Sequence, residues 1–188
     1  MNPLDARPMM GPPPQAEVQS DGTFVISSVM PGRWRLNVSG APGYLKSVRQ
    51  GDQEVSPWDF EIGSSAVQLK IVVGTKFAQL QATLSTAATG VEPAFAMLWV
   101  ANGDPQYQQN FPVNPQGSSG MSVPPGKYYV CAFQAAAPPW FLMQNGAMRK
   151  ALQSHCETVE APEAGSVRVQ LEVIPATDLK QMLEKIEE

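Results

Sequence analysis

A Pro-Gly turn followed by an alternating strand pattern occurs twice in this chain, and it limits the possible folds more than any other feature. Residues 29–38 read VMPGRWRLNV and residues 123–132 read VPPGKYYVCA, at an offset of 94 positions. Each copy places an apolar residue, the turn and a basic residue before side chains that alternate between two faces. Because solenoid units run about 20–50 residues, this period predicts two copies of one β-domain.

The inward face of each copy is predicted to begin with an aromatic side chain. The inward rows are Trp34, Leu36 and Val38 in the first copy and Tyr128, Val130 and Ala132 in the second. Alternation of this kind is typical of a strand with one face on a core. We therefore expect Trp34 and Tyr128 to occupy equivalent places in two β-domains.

Composition agrees with short strands joined by tight turns. The 188 residues include 18 Pro and 15 Gly, and 43% are hydrophobic, which suffices for packed cores. Charged residues make up 16%, the net charge is −4, and no basic stripe is present, so we expect no nucleic-acid partner. No apolar run approaches the length of about 18 residues that a membrane-spanning helix needs.

The repeat, the proline-rich start and the C-terminal apolar stripe divide the chain into four parts. We expect a Pro-rich arm or linker at 1–15, a first β-domain without its opening strands at 16–74, a second β-domain at 75–175 and a C-terminal helix at 176–188. The N-terminal residues lack the basic start and apolar core of a signal peptide. We therefore expect the chain to be part of a larger polypeptide.

Further elements are predicted within these parts. Strands are expected at 16–19, 23–26, 33–38, 44–49, 58–62, 67–73, 77–84, 95–100 and 167–173, and one short helix within 145–155. The last of these strands matches 67–73. In the C-terminal helix, Thr177 is the expected cap, and the apolar stripe is formed by Leu179, Met182, Leu183 and Ile186.

The repeated turn carries a family resemblance. Residues 21–24 (DGTF) followed by 29–36 resemble the D-G-x-F … V-x-P-G-x-Y-x-L signature of carboxypeptidase regulatory-like domains, also called transthyretin-like or prealbumin-like. The second copy follows this signature from Gly117 to Val130, with Gln116 in place of the Asp. The resemblance covers 16–174 and implies an all-β protein with two tandem Ig-like, prealbumin-like β-sandwich domains. It also implies a non-catalytic role in an exported protein, which would be periplasmic, in the cell envelope or secreted.

Two cysteines fall in the second predicted domain. Cys131 lies on the repeated strand and Cys156 precedes the next strand pattern. A disulfide between them would close a loop of about 25 residues and stabilise the fold by roughly 3 kcal/mol. The alternative is two free thiols. Because an exported chain is oxidised, we predict the disulfide.

The sequence shows no group of residues with catalytic or metal-binding spacing. His155 is the only histidine, and its neighbours Ser154 and Cys156 would point away from it on a helix. The carboxylates near residues 52–61 lack the spacing of an EF-hand loop, so a solvated face is the favoured interpretation. We therefore predict no catalytic residue, no metal site, no cofactor and no enzymatic activity.

Aromatic residues beside prolines are the candidate binding residues. Trp34 and Trp99 lie in strand patterns and are predicted core residues, whereas Trp58, Trp140 and Phe141 adjoin prolines near loops. The latter three can form a patch for a protein partner or for stacking on sugar rings. The alternative is that they close the end of a sandwich or fill an interface between domains. The resulting hypothesis is that the chain is a binding or structural module of a larger exported bacterial protein and mediates protein–protein or envelope contacts. The alternative is a carbohydrate-binding module.

Overall fold

The computed structural model describes residues 1–4, 12–39, 43–85, 94–101, 108–114, 118–134 and 146–187. The chain divides into two compact units, Met1–Thr75 and Lys76–Glu188. Strands dominate both units, and the α-helices are short. The predicted all-β class is therefore confirmed.

The first unit contains two three-stranded sheets. Its strands are β1 (Asn2–Pro3), β2 (Gly32–Arg35), β3 (Tyr44–Gln50), β4 (Gln53–Val55), β5 (Phe60–Ile62) and β6 (Leu69–Gly74). The sheets have the orders β1-β2-β5 and β4-β3-β6, and every pairing is antiparallel. Strand β1 was not predicted, and it lies at a sheet edge, where the missing N–H of Pro3 is tolerated.

The strands predicted at 16–19 and 23–26 are not formed. A turn connects these segments, in which the Gln19 N–H donates to the Thr23 carbonyl at 2.8 Å. The Asp21 carboxylate accepts the Thr23 N–H at 2.9 Å, and Gly22 has a φ of 83°. The predicted Asp-Gly turn is therefore confirmed, but the segments that flank it belong to no sheet.

The second unit contains most of the regular structure. Its strands are β7 (Ala78–Leu84), β8 (Ala94–Val100), β9 (Gln108–Val113), β10 (Ser119–Val123), β11 (Gly126–Gln134), β12 (Glu157–Ala161), β13 (Ser166–Leu171) and β14 (Val173–Ile174). One sheet has the order β10-β7-β13, and β13 runs parallel to β7. The other has the order β12-β11-β8-β9, with β14 beside β11.

These two sheets share one apolar core, in the manner of a β-sandwich. Leu80 of β7 and Leu171 of β13 pack in it with Leu98 of β8 and Val130 of β11. The predicted inward row Tyr128, Val130 and Ala132 is buried here. The alternation of β11 therefore directs one set of its side chains between the sheets.

The opposite face of β11 is also buried. Helix α1 (Gly146–Leu152), which a 3-10 turn at Gln153–His155 extends, and helix α2 (Ala176–Glu187) contribute to a second apolar cluster. Met148 and Leu152 of α1 meet Phe133 of β11 in this cluster. The predicted short helix is confirmed, although the sequence did not indicate which face of the sheet it covers.

Helix α2 begins one residue earlier than its predicted cap. The Leu179 N–H donates to the Pro175 carbonyl at 3.2 Å, so Thr177 lies within the first turn and not at the N-cap. Leu179 and Met182 of the predicted stripe pack against the second cluster. No described helix combines the length and apolar content that crossing a bilayer requires.

The aromatic residues that open the repeated strands make the same hydrogen bond in both units. The indole N–H of Trp34 donates to the Met30 carbonyl at 2.9 Å, and the hydroxyl of Tyr128 donates to the Pro124 carbonyl at 2.7 Å. Both acceptors lie four residues before the donor, and the two rings are only 3% and 2% exposed. Trp34 and Tyr128 therefore occupy equivalent places.

The turns and registers of the repeated strands also agree. Gly32 and Gly126 have φ values of 147° and 153°, a conformation almost restricted to glycine. The basic residue that follows each glycine faces a glutamate on the antiparallel neighbour, with Arg33 opposite Glu61 and Lys127 opposite Glu160. The repeat in the sequence is therefore a repeat in backbone geometry and in strand pairing.

Candidate binding surface

Of the three predicted binding residues, only Trp58 lies within the described residues; Trp140 and Phe141 are outside them. Trp58 is half-buried in a turn that the Ser56 side chain supports, because the Trp58 N–H donates to Ser56 Oγ at 3.3 Å. The Leu36 N–H donates to the Pro57 carbonyl at 2.8 Å and joins this turn to the chain after β2. Whether Trp58 shares a patch with the other two residues stays a prediction.

An ion pair lies beside the Trp58 turn. The Arg33 guanidinium donates to both carboxylate oxygens of Asp59, with Nε at 2.9 Å from Oδ1. This hydrogen bond is the main reason that the pKa of Asp59 is below its ordinary value, and the positive charges of Arg33 and Arg35 act in the same direction. Since both side chains are exposed, water screens the pair and limits its effect on stability.

A polar cavity of about 620 Å³ adjoins the same turn. Its lining includes the amides of Gln50 and Gln53 and the carboxylates of Asp59 and Glu61. Amide and carboxylate groups can accept and donate hydrogen bonds to a polyhydroxyl ligand. This cavity is the feature in the first unit that best fits the alternative hypothesis of carbohydrate binding.

The predicted disulfide is confirmed. Cys131 and Cys156 are bonded, with their Cα atoms 4.5 Å apart. Cys131 belongs to the helix-facing side of β11, and Cys156 comes directly before β12. The bond therefore joins the repeated strand to the beginning of its neighbour, and a disulfide fits an oxidising environment.

His155 lies between Ser154 and the disulfide-bonded Cys156. His155 is exposed, and the hydroxyl of its neighbour Ser154 donates to the Ala151 carbonyl at 3.3 Å. Within the described ranges, no three His, Cys, Asp or Glu side chains are close enough together to hold a metal ion. This region therefore adds no candidate site.

A second candidate surface is a groove in the first unit that sequence reasoning missed. Three adjoining cavities of about 740, 560 and 860 Å³ share one side chain, the half-buried Phe24. Residues 22–26 and 67–71 line these cavities, and residues within 13–18 line two of them. We call this feature the β6 groove, defined by residues 22–26 and 67–71.

The β6 groove follows a strand edge. Strand β6 ends the sheet order β4-β3-β6, so among the described residues only β3 pairs with it. Gln68, Leu69, Lys70 and Ile71 all line one cavity although successive side chains point to opposite faces of the sheet. A surface lined by consecutive residues is the edge of the strand, where the backbone has no second strand as partner among the described residues.

Apolar side chains form part of the lining of the β6 groove. Leu69 and Ile71 of β6 are only partly buried against the core, and so are Ile26 and Val38. Close by, Val72 and Val73 are each 37% exposed, and Val25 is 75% exposed. Partly exposed apolar side chains gathered at cavities are typical of a binding site.

The β6 groove carries little charge. Charged groups occur at three residues of its lining: Met1, with its terminal ammonium, lines two of the cavities, Glu17 lines one of these two, and Lys70 lines the third. A highly charged ligand would lose hydration here and find few counter-charges. The groove is therefore suited to an uncharged ligand with apolar groups.

No family model and no curated protein matches this chain. Among solved structures, the Bacillus anthracis TIE protein is similar at a TM-score of 0.34 and 13% sequence identity, covering 61% of this chain. The matched region is 20% of that chain. The resemblance to carboxypeptidase regulatory-like domains therefore stays a prediction from the sequence signature.

Proposed function

We propose that this chain is a non-catalytic binding module of a larger exported bacterial protein, with two tandem prealbumin-like β-sandwich domains, and that it mediates protein–protein contacts at the cell envelope. The observation that carries this proposal is the β6 groove, because it combines an open strand edge with partly buried Leu69 and Ile71. Strand edges and apolar grooves are common sites of protein recognition. The disulfide supports an exported location.

Site-directed photo-crosslinking tests the proposal. A benzophenone amino acid is placed at Val25, which lines the β6 groove, or at the exposed Glu54 on β4 as the matched control. Each chain is then irradiated with an envelope fraction from the bacterium that encodes it. We expect one protein to crosslink at Val25 and not at Glu54, and to bind the unlabelled chain again after purification. Equal labelling from both positions would contradict the proposal.

A carbohydrate-binding module is the second candidate, and the polar cavity beside the Trp58 turn favours it. Trp58 is half-buried, so part of its indole ring is accessible for stacking, and the amides and carboxylates of the cavity can bind hydroxyl groups. Binding of an oligosaccharide should shift tryptophan fluorescence, and Trp58→Ala should remove the shift. A glycan array without any bound sugar would eliminate this candidate.

A further inference from the structure

The disulfide of the second unit joins two residues that face each other across β11 and β12. The last backbone pair of these antiparallel strands is Val130 opposite Glu157. One step further along both strands, the same register places Cys131 opposite Cys156. Their Cα atoms are 4.5 Å apart, which is the spacing of directly opposed residues in an antiparallel pair. The disulfide therefore extends the pairing of β11 with β12 by one position.

The two sulfur atoms differ in how easily a thiol can reach them. Cys131 is 1% exposed and belongs to the apolar cluster between β11 and the helices. Cys156 is only partly buried, and it follows the exposed His155 at the end of the 3-10 turn. In thiol–disulfide exchange, a thiolate attacks one sulfur of the bond and the other sulfur leaves. Access therefore favours attack at Cys156 and departure of Cys131.

A backbone carbonyl lies beside the more accessible sulfur. The Sγ atom of Cys156 is 2.9 Å from the carbonyl oxygen of Leu152, the last residue of α1. A disulfide sulfur has no proton to donate, whereas a thiol is a weak S–H donor. Reduction of the bond therefore converts this contact into a hydrogen bond, which stabilises the thiol form of Cys156.

Noncovalent contacts hold the same elements together when the disulfide is reduced. Met148 and Leu152 of α1 are each 0% exposed, and they pack with Phe133 of β11. Strands β11 and β12 are joined by five residue pairs besides the disulfide. Because reduction leaves these contacts in place, the two cysteines can be reduced and oxidised again within the folded second unit.

We propose that Cys156 is a site of thiol–disulfide exchange with low-molecular-weight thiols, a role separate from the proposed binding function. The thiolate bonds to Cys156 Sγ, the bond to Cys131 breaks, and the Cys131 sulfur takes up a proton. A second thiolate then bonds to the sulfur of the first and leaves with it as a new disulfide. Cys156 takes up a proton and donates to the Leu152 carbonyl. Two thiols are thus oxidised, and the protein disulfide gains two electrons.

Incubation of the full chain with reduced glutathione, without denaturant, tests the exchange. After an acid quench, mass spectrometry should find the glutathione adduct on Cys156 in about tenfold or greater excess over Cys131, since access decides which sulfur is attacked. The Cys131 thiol that is released should react with maleimide only after the chain is unfolded. Equal adducts on the two cysteines, or reduction only in urea, would overturn the proposal.

Two single variants compare the cysteines directly. Cys131→Ala leaves the thiol of Cys156, and the matched control Cys156→Ala leaves the buried thiol of Cys131. A chromogenic aromatic disulfide should react with the folded Cys131→Ala chain about tenfold or more faster than with the control, and equally fast with both in urea. Equal rates in the folded chains would overturn the proposal. The glutathione experiment decides the question if a variant does not fold.

NMR of the backbone carbonyl carbons tests the hydrogen bond of the reduced form. On reduction, the chemical shift of the Leu152 carbonyl should increase, because this oxygen gains an S–H donor. The Ala151 carbonyl is the control, since it accepts the Ser154 hydroxyl at 3.3 Å and should keep its shift. An unchanged Leu152 carbonyl, or equal changes at both positions, would overturn the stabilisation of the Cys156 thiol by Leu152.

Discussion

The two units contain the same turn and strand but differ in how completely their cores are closed. In the first unit six apolar side chains are buried and eight others are only partly buried, within the described residues. In the second unit, fifteen buried side chains form the core between the sheets, and only four are partly buried against it. The repeated motif thus fixes the inner row of one strand, while the closure of the core depends on which other strands are present.

The second unit also has an additional layer. Its sheet around β11 packs against the other sheet on one face and against α1 and α2 on the opposite face. Burial on both faces explains why β11 carries few polar side chains after Lys127. We expect the second unit to be the more stable one, and the following experiments test that difference from the largest expected effect to the smallest.

Equivalent substitutions in β13 and β6 should lower the free energy of unfolding by unequal amounts. Leu171 of β13 is 1% exposed, whereas Ile71 of β6 is partly buried beside the groove. Leu171→Ala should lower the free energy of unfolding of the second unit by about 3 kcal/mol, and Ile71→Ala should cost the first unit only about 1 kcal/mol. Hydrogen exchange measured separately for peptides of each unit gives the two free energies of unfolding. Equal losses in the two variants would contradict the conclusion that the core of the second unit is more completely closed.

Loss of the disulfide should affect one unit alone. Cys131→Ser together with Cys156→Ser should destabilise the second unit by about 3 kcal/mol, because the bond closes a loop with a sequence separation of 25 residues in the unfolded chain. The first unit should retain its unfolding midpoint in urea, since both cysteines lie in the other unit. A common shift of both transitions would show that the units unfold together.

Removal of the repeated aromatic hydrogen bond should have matched effects in the two units. Tyr128→Phe keeps the ring and should cost the second unit about 1 kcal/mol, the usual contribution of one hydrogen bond. Replacing Trp34 by benzothienylalanine, which lacks the N–H but keeps the shape, should cost the first unit about the same. Unequal losses in thermal unfolding would break the equivalence of the two positions.

The smallest expected effect is confined to the first unit. Because the hydrogen bond from Arg33 lowers the pKa of Asp59 in the folded protein, this carboxylate favours folding at neutral pH. Its contribution is complete above the ordinary pKa of about 4 and is lost as the pH falls through the lower folded value. An NMR titration of the Asp59 carboxyl carbon should show the low pKa, and Arg33→Gln should return it toward the ordinary value. An unchanged titration in that variant would contradict the assigned cause.

Local sequence patterns predicted those features that depend on neighbouring residues. The turn at Gly126, the inward side chains of β11 and the short helix before β12 all follow from spacing within a few positions. The disulfide was predicted from the two cysteines together with the oxidising environment of an exported chain, against the alternative of two free thiols. The turn, the inward side chains and the helix are encoded locally.

Features that depend on distant pairing were missed. Residues 23–26 alternate as a strand does, but they form none because no described strand pairs with them. Conversely, the Pro-containing segment of β1 becomes a strand because β2 offers an edge. The β6 groove was missed for the same reason, since an open edge is defined by the absence of a neighbour. One sequence feature pointed to the groove: the pattern before 29–38 lacks the opening strands that precede 123–132.

The bond between Cys131 and Cys156 has a consequence for proteolysis. Every peptide bond between these two residues lies inside a covalently closed ring. A protease that cuts once within the ring leaves a nicked molecule of unchanged mass on a non-reducing gel, apart from one added water. Reducing agent would then release two fragments, so this stretch can be cleaved without separating β11 from β12.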